Sequence, residues 1–229
     1  MKELRAALDQ LGSQKGRRYL LTSAVGSAPS KINNVNYQEL FQAGNSTLDL
    51  VFAMTYDYYG AWDGVRGHSA GLYEGASLNQ GFYGAATITN LKAAGVPAAN
   101  LVLGVAMYGR AWEGVSSDQP LSLNLNDASG RPFSLEYGMW EAGVMDYKYI
   151  VSRYRNDPSY IFQFDSKAKA PYLWSPSLKK VISYEDPCSA KAKMDFAKQE
   201  GLAGVFAWEI DADNGDILNV MNGGLPSCP

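Results

Sequence analysis

The sequence predicts an α/β fold: a parallel sheet covered by helices, carrying a small antiparallel insertion. Three observations predict it. Apolar strand-like runs alternate with amphipathic helical runs along the chain. Between residues 113 and 183 that rhythm gives way to short aromatic stretches separated by Pro and Ser. The third observation is length. Removing the insertion of ~70 residues leaves roughly 160 for four strand–helix units, whereas a complete eight-fold βα barrel takes ~250. The 229 residues can bury a sizeable core but are too few for a whole barrel.

The elements follow in order. Leu4, Ala7, Leu8 and Leu11 fall at i, i+3, i+4 and i+7 and open the chain on a helix, with Gly12 as its expected stop. A strand is expected at Tyr19–Ser23 and a second helical segment at Val35–Ala43. The run Asp49–Tyr56 is apolar on both faces, as a buried parallel strand must be, and it enters Tyr56-Asp57-Tyr58-Tyr59. A helix over Tyr83–Ala94 turns Ile88 and Leu91 inward and closes at Gly95-Val96-Pro97, ahead of a third strand at Leu101–Tyr108. In the insertion, Tyr160-Ile161-Phe162-Gln163-Phe164 and Tyr172-Leu173-Trp174 read as strands. A connection of ~70 residues far exceeds the 2–6 typical of a βα loop, so it must fold as a module. A helix over Ser189–Glu200 stops at Gly201, and Gly204–Ile210 is the fourth strand. Asp211–Asn214 then leads into a last helix, Asp216–Asn222. The expected divisions are 1–112, 113–183 and 184–229.

Composition removes several classes of function. Lys and Arg number 20 against 23 Asp and Glu, a net charge of −3, so the basic excess that drives nucleic-acid binding is absent. One His and two Cys cannot build a tetrahedral zinc site, and a Ser-His-Asp triad would have to use His68. No stretch approaches the ~20 apolar residues of a membrane span, and the opening Met-Lys-Glu-Leu-Arg has no apolar signal core. Phosphate-cradling glycine patterns are missing, since Gly26-Ser27 and Gly104-Val105 stand isolated. The 15 Tyr against 8 Phe favour flat faces with a polar handle, which suit sugar rings and ordinary cores alike. His68 reads as a structural loop residue bonded to backbone. Cys188 and Cys228 lie 40 positions apart; the residues from Gly223 to Cys228 can span ~20 Å, which leaves both pairing and free thiols open. Asn45-Ser46-Thr47 matches a glycosylation acceptor.

In parallel α/β architectures, groups at the carboxyl ends of strands converge on one face. Three of the four expected strands end in reactive or sugar-friendly groups: Met54-Thr55-Tyr56-Asp57, Met107-Tyr108-Gly109-Arg110 and Trp208-Glu209. A competing reading makes them ordinary caps of the following helices.

Longer segments contain these groups. They are Phe52-Ala53-Met54-Thr55-Tyr56-Asp57-Tyr58-Tyr59-Gly60-Ala61-Trp62-Asp63, Gly67-His68, Gly104-Val105-Ala106-Met107-Tyr108-Gly109-Arg110, Met139-Trp140-Glu141 and Gly204-Val205-Phe206-Ala207-Trp208-Glu209-Ile210-Asp211-Ala212-Asp213. Together they resemble the carboxyl-terminal half of a family 18 glycoside hydrolase, and within it the bacterial chitinases with an α+β insertion between barrel strands seven and eight. The resemblance covers essentially the whole chain. It implies a partial (β/α)8 TIM barrel, strands five to eight with their helices, plus an inserted small α+β domain.

The same resemblance implies a secreted enzyme without cofactor, acting on chitin or chitooligosaccharides. It also implies a substrate-assisted retaining mechanism, in which the sugar's acetamido oxygen attacks the anomeric carbon while a protein acid protonates the leaving oxygen. Tyr56 then bonds the acetamido group, and Asp57 accepts from the sugar or its acetamide. Met54 and Met107 line the pocket floor, while Tyr108 and Arg110 position the sugar. Trp208, with Glu209 beside it, is the platform under the cleaved residue. Trp140 and Glu141 wall the groove, and Trp62 serves its other end. Plain packing is the alternative for each aromatic. The family's acid lies in an Asp-x-x-Asp-x-Asp-x-Glu motif that occurs nowhere in this sequence. The expectation is therefore a chitinase-type chain that is inactive alone. A non-catalytic sugar-binding relic is the alternative, and an independent Asp57/Glu209 carboxylate pair is a weaker one. A half-barrel would leave strand edges and interior side chains facing water, so self-association or a need for the missing half is expected.

Overall fold

The computed structural model describes residues 1–42, 46–60, 62, 65–75, 81–116, 130–136 and 139–228. Helix α1 (Lys2–Lys15) runs through the expected stop and ends at Gly16, whose φ of 66° places it in the left-handed region. Gly12 has another role. A Cβ there would lie 2.6 Å from the Arg17 carbonyl oxygen, so the missing side chain lets the following loop fold back over the helix. The face of α1 turned inward carries Arg5, while Leu4 and Leu11 stay exposed. Arg5 donates to the Tyr19 carbonyl, and the Arg17 guanidinium lies 4.5 Å from the Tyr19 ring centroid. Tyr19 is thereby held in the loop, and strand β1 begins only at Thr22 (Thr22–Gly26).

Two short helices, α2 (Pro29–Ile32) and α3 (Tyr37–Leu40), replace the single segment expected over Val35–Ala43. The Asn36 side chain accepts from the Glu39 N–H and so starts a separate helix. Ala43 lies outside the described residues, as does Asn45 of the acceptor motif. Strand β2 (Leu50–Met54), helix α4 (Gly84–Ala93) and strand β3 (Leu101–Ala106) then match their expected places to within a few residues. Strand β2 separates its faces: Val51 and Ala53 pack with the helices, while Phe52 and Met54 lie half-buried on the opposite side.

The expected third strand divides at Met107. Its N–H donates to the Trp208 carbonyl at 2.8 Å, and its carbonyl accepts from the Tyr147 N–H at 2.9 Å. One residue therefore serves both sheets, and β4 (Tyr108–Glu113) already belongs to the second one. Antiparallel pairing begins at Tyr108 rather than after residue 112. The described strands that follow are β5 (Arg131–Pro132), β6 (Val144–Asp146), β7 (Ile161–Asp165), β8 (Ala170–Ser175) and β9 (Lys180–Ser183), with helix α5 (Tyr147–Arg153) between β6 and β7. Their order is β5-β4-β9-β8-β7, with β6 also on β4. Residues 117–129 and 137–138, which the aromatic rhythm assigned to this module, lie outside the described residues.

The chain returns through α6 (Pro187–Gln199) to β10 (Gly204–Trp208) and α7 (Asp216–Met221). Asp186 and Ser189 form a reciprocal capping box that sets the start of α6. The parallel sheet has the order β1-β2-β3-β10, so β1 and β10 are its edges. Cys188 and Cys228 are disulfide-bonded, with Cα atoms 5.5 Å apart, which ties the C-terminal segment to the first turn of α6. His68 was expected to bond backbone. Its Nε2 instead meets Asp165 Oδ2 at 3.0 Å, because the loop after β2 reaches the end of β7. Ser69 in the same loop donates its N–H to Ser183 Oγ of β9.

Candidate functional site

At the carboxyl end of β2 the chain turns through Asp57, a non-glycine residue at φ 58°, a conformation that Asp tolerates better than most residues. This turn brings its carboxylate to β4. Asp57 Oδ1 accepts from the Tyr108 hydroxyl at 2.7 Å and from Arg110 Nε at 2.9 Å. Arg110 Nη2 closes the pair on Oδ2 at 2.8 Å, and Arg110 Nη1 reaches Glu141 Oε1 at 2.9 Å. The guanidinium also lies 4.6 Å from the Trp62 ring centroid. Burial opposes the Arg110 charge, but the bonds and field of Asp57 prevail and raise its pKa.

Two phenols stand beside this pair. Burial, reinforced by the Asp57 charge, raises the pKa of both Tyr56 and Tyr108, so both remain protonated donors across the neutral range. Tyr108 spends its proton on Asp57. The Tyr56 ring rests on β3, where a Cβ on Gly104 would lie 2.8 Å from Tyr56 Cε1 and from the Ala53 carbonyl oxygen. Only glycine leaves room for that ring. Phe206 and Tyr108 meet Tyr56 edge-on, at 6.1 Å each between centroids.

Three indoles stand exposed at this end of the strands: Trp62 against Arg110, Trp140 against Tyr108, and Trp208 at the end of β10 opposite Ala106. Trp62, Trp140 and Trp208 are 59%, 57% and 52% exposed, which excludes a core role for any of them. Trp140 meets Tyr108 at 6.4 Å between centroids. Glu209 is exposed beside Trp208, and the peptide bond joining these two residues is cis.

The structure thus brings together Tyr56, Asp57, Trp62, Tyr108, Arg110, Trp140 and Glu141 through direct contacts, with Met54 half-buried on the same face of the sheet. Met107 is a correction. Side chains alternate along a strand. Ala106 and Tyr108 pack with Tyr56, whereas Met107 is fully buried on the other side, among Val105, Met145, Tyr147 and Ile150. It cannot line the floor expected of it.

Sequence reasoning missed a buried ion pair behind this face. Lys193 Nζ lies 2.7 Å from Glu185 Oε1, with both side chains essentially sealed from solvent. A signal for it existed: Lys193 falls on the same helix face as Ala190 and Ala197, which are buried. Among the described residues no group of three His, Cys, Asp or Glu gathers as metal ligands.

Aromatic faces around a carboxylate–guanidinium pair, at the carboxyl ends of parallel strands, define an α/β protein of the glycoside hydrolase class. Residues 1–213 match the model of the Glycosyl hydrolases family 18, and the chain belongs to that family. It is 42% identical over 252 aligned residues to Chitinase A of Pseudoalteromonas piscicida, covering 98% of this chain but 30% of that protein. A family 18 N-acetylglucosaminidase from Paenibacillus barengoltzii superposes with a TM-score of 0.81 at 31% identity, over 96% of this chain and 60% of that one. A class V chitinase from Nicotiana tobaccum, in complex with NAG4, superposes with a TM-score of 0.75 at 26% identity, over 96% and 60% respectively. The chain therefore spans less than a third of the Pseudoalteromonas protein and three-fifths of each crystallised one.

Proposed function

We propose that these residues form the sugar-holding part of a chitinase-type hydrolase acting on β-1,4-linked N-acetylglucosamine polymers. The observation that carries the reading is the exposure of Trp62, Trp140 and Trp208 at the strand ends that also carry a protonated Tyr56 and a clamped Asp57. Indole faces match the axial hydrogens of pyranose rings. Among the described residues nothing hydrogen-bonds the Tyr56 hydroxyl, so it is free to donate to a sugar acetamide. Asp57 has given three of its acceptor directions to Tyr108 and Arg110; with what remains it accepts from a sugar hydroxyl or the acetamide N–H rather than attacking carbon itself. Trp208 supports the cleaved residue with Glu209 beside it, and Trp140, Glu141 and Trp62 hold more distant sugars. Met54 completes the floor.

The chemistry is substrate-assisted retention. The acetamido oxygen forms a bond to the anomeric carbon as the glycosidic C–O bond breaks, and a general acid protonates the departing oxygen; water then opens the ring intermediate with net retention. No Asp-x-x-Asp-x-Asp-x-Glu motif is present in the 229 residues, so this reading assigns that acid to a group outside them. It also treats the parallel strands as four of the eight of a (β/α)8 barrel, with 1–112 and 184–229 on the barrel and 113–183 as the insertion. The enzyme is secreted, as a polymeric substrate requires.

The test is isothermal titration of the 229-residue chain with N-acetylchitotetraose, alongside a product assay. Binding without cleavage is expected, and the Trp208→Ala variant should bind at least tenfold more weakly. Cleavage by this chain alone would remove the claim that the acid lies elsewhere, and absence of binding would remove the groove. The absent motif equally suits a non-catalytic binder. A longer polypeptide bearing these residues with an acid motif separates the two, since only the hydrolase reading expects it to cleave. Open edges at β1 and β10 make self-association of the chain alone the expected state; a stable monomer in sedimentation speaks against the half-barrel.

A further inference from the structure

Strand β2 is tied to β3 over a short stretch, from Val51–Leu101 to Ala53–Leu103. On its other side β2 stays paired with β1 as far as Met54, and β3 stays paired with β10 as far as Ala106–Trp208. The two central strands are thus unladdered where the site residues leave them. Something else must hold that gap. The Thr55 hydroxyl donates across it to the Gly104 carbonyl at 2.8 Å. From α6, the Lys193 ammonium enters from behind and donates to the same Gly104 carbonyl at 2.9 Å and to the Thr55 carbonyl at 3.2 Å. Its third proton goes to Glu185 Oε1 at 2.7 Å. That oxygen also accepts from the Ala106 N–H at 2.7 Å, and Glu185 Oε2 accepts from Ser189 Oγ at 3.4 Å.

We infer that Lys193 and Glu185 are the positioning residues of the site, fixing the backbone from which Tyr56, Asp57 and Tyr108 project. All three ammonium protons are satisfied, and two of them end on backbone carbonyls of the two unladdered strands. Thr55 immediately precedes Tyr56, and Ala106 stands two residues before Tyr108 on the same face. Buried ion pairs contribute little to net stability, since apolar residues of similar volume often serve as well. What an apolar pair cannot supply is a directed bond to each of three backbone groups. Burial pushes Glu185 up and Lys193 down in pKa, and their mutual attraction opposes both shifts. The consequence for affinity rests on the sugar-binding reading above; the geometry does not.

The experiment compares the wild-type chain with the double variant Lys193→Met/Glu185→Gln, in which the glutamine oxygen still accepts from the Ala106 N–H. Circular dichroism and Tm report folding. Amide hydrogen exchange at Thr55–Asp57 and Ala106–Tyr108 reports local order, and titration with N-acetylchitotetraose reports affinity. The expected result is a near-wild-type Tm, exchange at those amides faster by at least tenfold while that of β1 is unchanged, and a Kd raised at least tenfold. Wild-type exchange at those amides overturns the inference, and so does faster exchange with unchanged affinity. If the double variant does not fold, Glu185→Asp, which keeps the charge but shortens the reach to the Ala106 N–H, is measured the same way and should move both readouts about threefold; unchanged values there also overturn it. If the wild-type chain binds no tetrasaccharide, the sugar reading fails by itself, and the exchange comparison alone decides the positioning.

Discussion

Strand β2 has an aspartate just outside each end, and the two are used differently. Asp49, at the amino end, accepts from Arg5 Nη1 at 3.1 Å and from the Leu21 N–H at 2.7 Å, while Arg18 takes its other oxygen. Its carboxylate is 12% exposed. Asp57, at the carboxyl end, is equally tied to an arginine but remains 36% exposed, with Trp62 over that arginine. The difference lies in where the partners come from. Those of Asp49 belong to α1 and the loop that follows it, so the pair closes the base of the parallel sheet. Those of Asp57 belong to β4 of the second sheet, so the pair forms a junction whose outer side stays open. Identical charge chemistry holds the fold at one end of the strand and presents a surface at the other, the division expected of parallel α/β architectures.

Breaking the closed end should have the largest effect. Asp49→Ala leaves the buried Arg5 with only the exposed Asp9 as counter-charge and removes the acceptor of the Leu21 N–H; it should cost about 3 kcal/mol of stability in urea unfolding, with chitotetraose affinity unchanged in the folded fraction. Asp57→Asn should do the reverse. It keeps the shape but loses the charge that orients Arg110, so on the proposed reading chitotetraose affinity should fall by about 2 kcal/mol with Tm nearly constant. Similar stability losses for both variants would erase the contrast between the two ends.

The junction between the sheets adds a pH test. Burial alone would raise the Asp165 pKa, but bonds from His68 and from the Ala168 and Lys167 N–H groups outweigh it and pull the value down to about 2. A carboxylate whose folded pKa lies below its unfolded one stabilises the fold above the unfolded value and stops doing so as acid protonates it. About 2 kcal/mol should therefore disappear between about pH 4 and pH 2, and Asp165→Asn should flatten that part of the acid-unfolding curve. The smallest effect belongs to the rim: Trp140→Ala should weaken chitotetraose binding by about 1 kcal/mol, leaving Tm unchanged.

Much of the parallel sheet was legible because buried strands are written as continuous apolar runs, and Asp49–Tyr56 and Leu101–Tyr108 are such runs. The grouping of Tyr56, Asp57, Tyr108 and Arg110 was legible for the same reason, since carboxyl ends of neighbouring parallel strands must meet. Met107 was misplaced because its motif was taken whole; strict alternation with Tyr108 puts it on the other face. Other features depend on distant partners that local pattern does not encode. Arg5 pairs with a residue 44 positions away, and the true stop of α1 depends on Arg17 folding back over Gly12. His68 finds an acid 97 positions downstream, and helix α5 sits in a module whose aromatic spacing suggested strands alone.

The joint at Met107 has a mechanical consequence. Strand β3 becomes β4 across one residue, whose N–H is held by Trp208 and whose carbonyl is held by Tyr147. Swinging the second sheet away from β10 would break the bond to Trp208, so the two sheets are not free to hinge at this residue. The spacing between the two sheets at this point is therefore set when the chain folds rather than when a ligand arrives.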